Sequence, residues 1–288
     1  MSVWALRGLH DGVVTTRWPR RPDDYAEAWR GPATIRPPAD PAPRAEPGQS
    51  ATARTPADPA LGVPASCADR GQRADVGAGV ARLCPTGAIQ VTDRVRVDQG
   101  RCILCGRCIE ARPDLFAWSA GATGPAAAAL VRPALIVPDA AGTSDAIGAA
   151  RAALAARTAA LRRSVHIRHA DAGSDGSAEW EIQALLGPVY DVHRLGVFFT
   201  ASPRHADVLL VTGGGVPGMI EPLRTTYDGM PDPKVVIAVG TDAISGGLLG
   251  DHLAGVAAHV PVDIWVPGDP PSPFGILKAL LVAMGRLR

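Results

Sequence analysis

Lysine is nearly absent from this 288-residue sequence: Lys and Arg together number 29, and only Lys234 and Lys278 are lysines. That bias points to a GC-rich coding sequence more than to a function. The formal net charge of +1 at pH 7 gives neither sign a surplus, so nucleic acid is not an expected partner. No apolar stretch reaches the roughly 18 uncharged residues of a membrane span, and Arg7 and Asp11 interrupt the place where a signal peptide would carry its apolar region. Membrane association is therefore expected only through a partner or an interfacial segment. Cysteine is scarce too. The five present are an odd number, gathered between Cys67 and Cys108 at the short spacings of metal ligands, which disfavours a disulfide framework and favours a reducing cytosol.

Along the chain, residues 1–62 divide in two. Trp4 to Val14 and Thr15 to Pro22 mix apolar, aromatic and arginine side chains, a composition suited to docking on a partner or a headgroup layer, or to folding back on the chain's own domain. From Gly31 to about Pro64, Pro and Ala dominate with few large apolar residues, which reads as a linker or strap.

The next stretch, 63–118, carries the metal-ligand pattern. Cys102, Cys105 and Cys108 are separated by two residues each, and Arg112 precedes Pro113 where a fourth cysteine would complete the run. The pattern resembles the bacterial ferredoxin run C-x2-C-x2-C-x3-C-P, in which the fourth cysteine ligates the cluster of the other run. In the other run that residue is Cys84, before Pro85. The resemblance puts the remaining ligand positions of that run at Ala74, Gly77 and Val80. One set, Ala74, Gly77, Val80 and Arg112, has thus lost every cysteine, whereas the other, Cys84, Cys102, Cys105 and Cys108, keeps all four. The resemblance implies a small α+β ferredoxin-like domain with one 4Fe-4S cluster. Zinc on the same thiolates is the chemical alternative. Cys67 falls outside the set and reads as a free or buried thiol. Arg112 reads as a surface residue or a cation beside the cluster. Residues 90–98 predict a small hairpin.

Residues 119–163 read as a linker and a connector helix over about 144–163, capped by Ser144 or Asp145 and ending on Arg162 and Arg163. From Ser164 to Arg288 the pattern changes to α/β. Apolar runs at 165–167, 197–200, 207–212, 235–239 and 262–266 alternate with helix-length segments, as in a parallel sheet with ligand loops at its carboxyl edge. Gly213, Gly214 and Gly215 lack the further residues of a phosphate loop and predict a tight turn. His166 and His169 are expected to be strand-end hydrogen-bonding groups.

Four segments of this region, 164–174, 187–191, 201–213 and 231–234, resemble the small subunit of group 4 nickel-iron hydrogenases, the same family as the 20 kDa subunit of respiratory complex I. The resemblance implies a flavodoxin-like fold, a hydrogenase or complex I-type large subunit and membrane-arm subunits as partners, and a peripheral place on the cytoplasmic face of the cell membrane. It also implies a second iron–sulfur site, and there the chain departs. The positions corresponding to the four cluster cysteines hold Asp175, Ala178, Asp242 and Asp269. Oxygen donors suit Mg or Ca rather than a thiolate-bound cluster, and like charges in one hollow raise one another's pKa. A cation, a shared proton, or arginines and water are the possible occupants.

Two functions follow. One is an electron-transfer subunit of a membrane-associated oxidoreductase, with a soluble donor among its partners. The other is a structural subunit of a divergent complex I-like or ion-translocating assembly. No nucleophile and base pair or nucleotide fingerprint marks the chain as an enzyme by itself.

Overall fold

The computed structural model describes residues 10, 12–22, 29–36, 79, 81–92, 94–120, 127–138, 143–250 and 252–287. Cys67, Ala74, Gly77, Val80 and residues 37–64 of the expected linker lie outside them.

The larger unit is a five-stranded parallel sheet made of β6 (Val165–Asp171), β7 (Val197–Phe199), β8 (Val208–Thr212), β9 (Val235–Val239) and β10 (Ile264–Val266). Its order, β10-β9-β8-β6-β7, is that of a flavodoxin-like doubly wound sheet. The five apolar runs of the sequence become these five strands. β8 and β9 are buried at every position because helices cover both faces of a parallel sheet. Alternation along each strand divides the core: Val208, Leu210 and Ile237 join one layer with α6 (Pro273–Ala283), and Leu209, Val211 and Val236 join the other with Leu223 of α4 (Pro217–Asp228). α6 begins at Ser272, whose hydroxyl accepts the Gly275 N–H at 3.1 Å, and it buries nine of its residues. No described helix is long and apolar enough to cross a membrane.

The smaller unit has two antiparallel sheets. One pairs β1 (Arg30–Ile35) with β4 (Phe116–Ala120); the other runs β2 (Ile89–Val91), β3 (Val95–Asp98), β5 (Ile136–Val137). The predicted hairpin is β2 and β3. Two expected linkers are corrected here. Residues 31–35, read as the start of a linker, supply all of β1 but Arg30. Its Gly31 and Pro32 sit at a register shift between Arg30 and Ala33, where a bulge tolerates proline, and a Cβ on Gly31 would lie 2.2 Å from the Ser119 hydroxyl. The residues that look linker-like are thus bulge residues. Likewise 127–137, inside the expected 119–163 linker, is structural. Ala129 pairs with Trp265 at the edge of the parallel sheet, Leu135 is fully buried, and β5 follows.

The connector helix, α2, spans Thr143–Arg157. It stops earlier than expected, with the Thr158 hydroxyl bonded to the Leu154 carbonyl, so Arg157 and not Arg162 or Arg163 occupies its last turn. The segment 12–22 folds back on the larger unit. Thr16 N–H donates to the Val189 carbonyl at 2.7 Å, and the buried Trp18 joins the core beside Phe274.

Candidate functional site

Cys84, Cys102, Cys105 and Cys108 line one hollow in the smaller unit, together with Ala33, Thr86, Ala88, Ile89 and Trp118. Cys84 follows a turn after residue 81 and precedes β2. Cys102 and Cys105 belong to the loop after β3, and Cys108 stands on α1 (Arg107–Ala111). The loop must reverse tightly to bring them to one place. Leu104 takes φ +58° and Gly106 φ +78° to do so, the first an uncommon conformation for a branched side chain.

Backbone donors point at the sulfurs. Ala88 N–H reaches Cys84 Sγ at 3.2 Å, Ala33 N–H reaches Cys102 Sγ at 3.4 Å, and the Leu104 N–H also donates to Cys102. Burial pushes the Cys102 thiol up, and burial, then the neighbouring thiols, pushes Cys108 to about 11. Four thiols gathered with N–H donors, in surroundings that disfavour free thiolates, fit a cationic group that binds sulfur in its deprotonated form.

Arg112 does not enter the hollow. Its guanidinium forms a two-point pair with Asp114, at 2.8 and 2.6 Å, in keeping with a surface arginine.

The second group stands at the carboxyl edge of the parallel sheet. Asp175 precedes α3 (Ser177–Ala184), Asp242 lies on α5 (Thr241–Ser245) after β9, and Asp269 follows β10. One carboxylate oxygen from each lies within 4.8 Å of the others. Ala178 packs on the same wall, its Cβ 3.5 Å from where a side chain on Gly240 would begin. Burial, then Asp242 and Asp175, raises Asp269 to about 6, and burial, then Asp175 and Glu179, raises Asp242. Asp175, exposed, is lowered by its hydrogen bonds from Ser177. The pattern is one ionised carboxylate beside two that resist ionisation. His169 bonds Thr212 at 2.9 Å, and Thr212 donates to Glu179, so this histidine is satisfied within the sheet.

Sequence reasoning missed the contacts between the two groups. The Thr241 hydroxyl donates to the Cys102 carbonyl at 3.1 Å, and the Ser245 hydroxyl lies 3.0 Å from the Gly100 carbonyl. Asp98 and Arg132 close the same seam at 2.7 Å.

Residues 176–283 match the family model of the NADH ubiquinone oxidoreductase 20 kDa subunit. An uncharacterized protein of Methanocaldococcus jannaschii is 40% identical over 120 residues, covering 41% of this chain and 81% of the relative. The "probable membrane-bound hydrogenase subunit mbhJ" of Pyrococcus furiosus is 40% identical over 122 residues, 41% of this chain and 73% of that one. The chain belongs to the NADH ubiquinone oxidoreductase 20 kDa subunit family. Formate hydrogenlyase subunit 7 of Escherichia coli is 38% identical over 127 residues, 43% of this chain and half (50%) of that one. Similarity to these relatives is thus shared over less than half of the chain.

Proposed function

We propose that this chain is an electron-transfer subunit of a membrane-associated oxidoreductase related to hydrogenases and complex I, holding one 4Fe-4S cluster on Cys84, Cys102, Cys105 and Cys108. The observation that carries this reading is the convergence of those four thiols on one hollow with backbone N–H groups aimed at two of the sulfurs. Such a cluster, when bound, supplies a one-electron couple. The residues do the rest: the thiolates hold the group, the N–H donors favour its more negative state, and Trp118 and Ile89 restrict water at the wall. The partners proposed are a hydrogenase or complex I-type large subunit, membrane-arm subunits and a soluble donor, with the chain peripheral on the cytoplasmic face of the membrane. The names of the relatives from Pyrococcus furiosus and Escherichia coli support this setting.

Anaerobic purification with iron and sulfide quantitation tests it, followed by EPR after reduction. About four irons per chain supports the reading; eight or none overturns it.

A second reading is favoured by one observation, the rise of Asp269 to about 6 beside Asp242. Here the aspartates mark a subunit that supports a large subunit structurally and holds a proton or a cation where the family resemblance implies a cluster. Metal analysis of the wild type and of Asp242→Ala separates the two occupants: a stoichiometric divalent metal lost in the variant supports the cation, and its absence from both eliminates it.

A further inference from the structure

We propose that Thr241 and Ser245 of the parallel-sheet unit are positioning residues for the cysteine site, so that the site is built across both units. The inference rests on the cluster reading above and extends it to residues outside the cysteine pattern.

The seam is tight and buried. Thr241 is fully buried and Ser245 is 7% exposed. A Cβ on Gly100 would lie 2.8 Å from Ile244 Cγ2 and 2.8 Å from Arg132 Cζ, so only glycine lets the cysteine loop meet α5 this closely. Across that contact the hydroxyls of Thr241 and Ser245 reach the carbonyls of Cys102 and Gly100 at 3.1 and 3.0 Å.

The carbonyl that Thr241 holds belongs to the peptide between Cys102 and Ile103. The next peptide carries the Leu104 N–H that donates to the Cys102 sulfur, and Leu104 itself stands at φ +58°. Fixing the first peptide plane fixes where that turn begins. Thr241 thereby acts on the N–H···S geometry without touching sulfur. Hydrogen bonds to the sulfurs and nearby dipoles set the potential of such a group. With the hydroxyl removed, the Cys102 carbonyl loses its partner at the seam and the N–H donors loosen, which disfavours the more negative, reduced state.

The test uses the full chain, purified anaerobically, as wild type, Thr241→Val, Thr241→Ser and Ser245→Ala. Iron content in Thr241→Val equals that of the wild type, its midpoint potential moves to a more negative value, and its EPR lines broaden. Thr241→Ser restores the wild-type potential, and Ser245→Ala shifts it in the same direction by less. A Thr241→Val protein with wild-type potential and lineshape overturns the proposal, as does a serine variant that restores neither. A second arm needs no cluster. In iron-free protein, alkylation of Cys102 by iodoacetamide accelerates several-fold in Thr241→Val and in Ser245→Ala, while that of the exposed Cys105 is unchanged. An unchanged Cys102 rate in both variants overturns the proposal, whereas a wild type without iron overturns only the cluster reading.

Discussion

Trp18 meets Phe274 edge to face, with ring centroids 5.8 Å apart and planes at 78°. The contact ties a segment near the start of the chain to the first turn of α6, and Arg194 closes it by donating to the Trp18 carbonyl at 2.6 Å. Trp18→Ala removes a buried aromatic side chain packed on Phe274 and is expected to cost about 3 kcal/mol. Urea unfolding followed by far-UV circular dichroism checks this. A midpoint equal to that of the wild type would show that residues 12–22 are not part of the cooperative unit.

The raised pKa of Asp269 predicts a pH-dependent stability. The folded form holds its proton up to about 6, whereas an unfolded aspartate releases it near about 3.9. Below the lower value both states are protonated and stability is full; as pH rises through the window to about 6, the folded state must give up a proton it prefers to keep, and stability falls. Allowing for solvent screening, the loss is about 1–2 kcal/mol. Asp269→Asn, which mimics the protonated form, is expected to flatten the curve between pH 4 and 6 (about the window set by the two pKa values) and to be more stable than the wild type at pH 7. Denaturant titrations at several pH values measure it.

Two glycine substitutions are expected to act in opposite directions. Gly100→Ala drives a methyl group into Ile244 and Arg132 and should destabilise by about 1–3 kcal/mol. Gly148→Ala, inside α2 with nothing within 4 Å of the new Cβ, should stabilise by about 0.4–1 kcal/mol. Thermal unfolding of the two variants side by side gives the signs.

Cys84→Ser and Arg112→Ala separate the two ligand sets. Under the proposed function, Cys84→Ser removes one of the four thiolates and iron content falls sharply. Arg112→Ala removes the pair with Asp114, and iron content is unchanged. Iron loss in the second variant and not in the first would reverse the assignment.

Much of this was legible in sequence because the signals are local. Continuous apolar runs marked the five parallel strands, since strands buried on both faces need no polar alternation. The spacing of Cys102, Cys105 and Cys108 and the proline after Cys84 marked the thiol hollow. Asp175, Asp242 and Asp269 were found through the family resemblance, because three carboxylates separated by sixty-seven and twenty-seven residues (242 − 175 and 269 − 242) carry no pattern of their own. What escaped was non-local. β1 hid behind Gly31 and Pro32, which resemble a linker when the partner strand is unseen. β5 is two residues long, too short for any periodicity. Thr241 and Ser245 reach their acceptors across 139 and 145 positions, a relationship no single sequence displays.

The pairing of β1 with β4, which sets Arg30 opposite Ala120, has a consequence for how the protein comes into being. Closing so long a loop is slow compared with forming a helix or hairpin, and all four thiols are synthesised before it can happen. The contact of Thr241 with Cys102 arrives later still, after β9 has emerged from the ribosome. Cys102 is therefore synthesised well before the Thr241 contact that holds its carbonyl, which is among the last features of the fold to be completed.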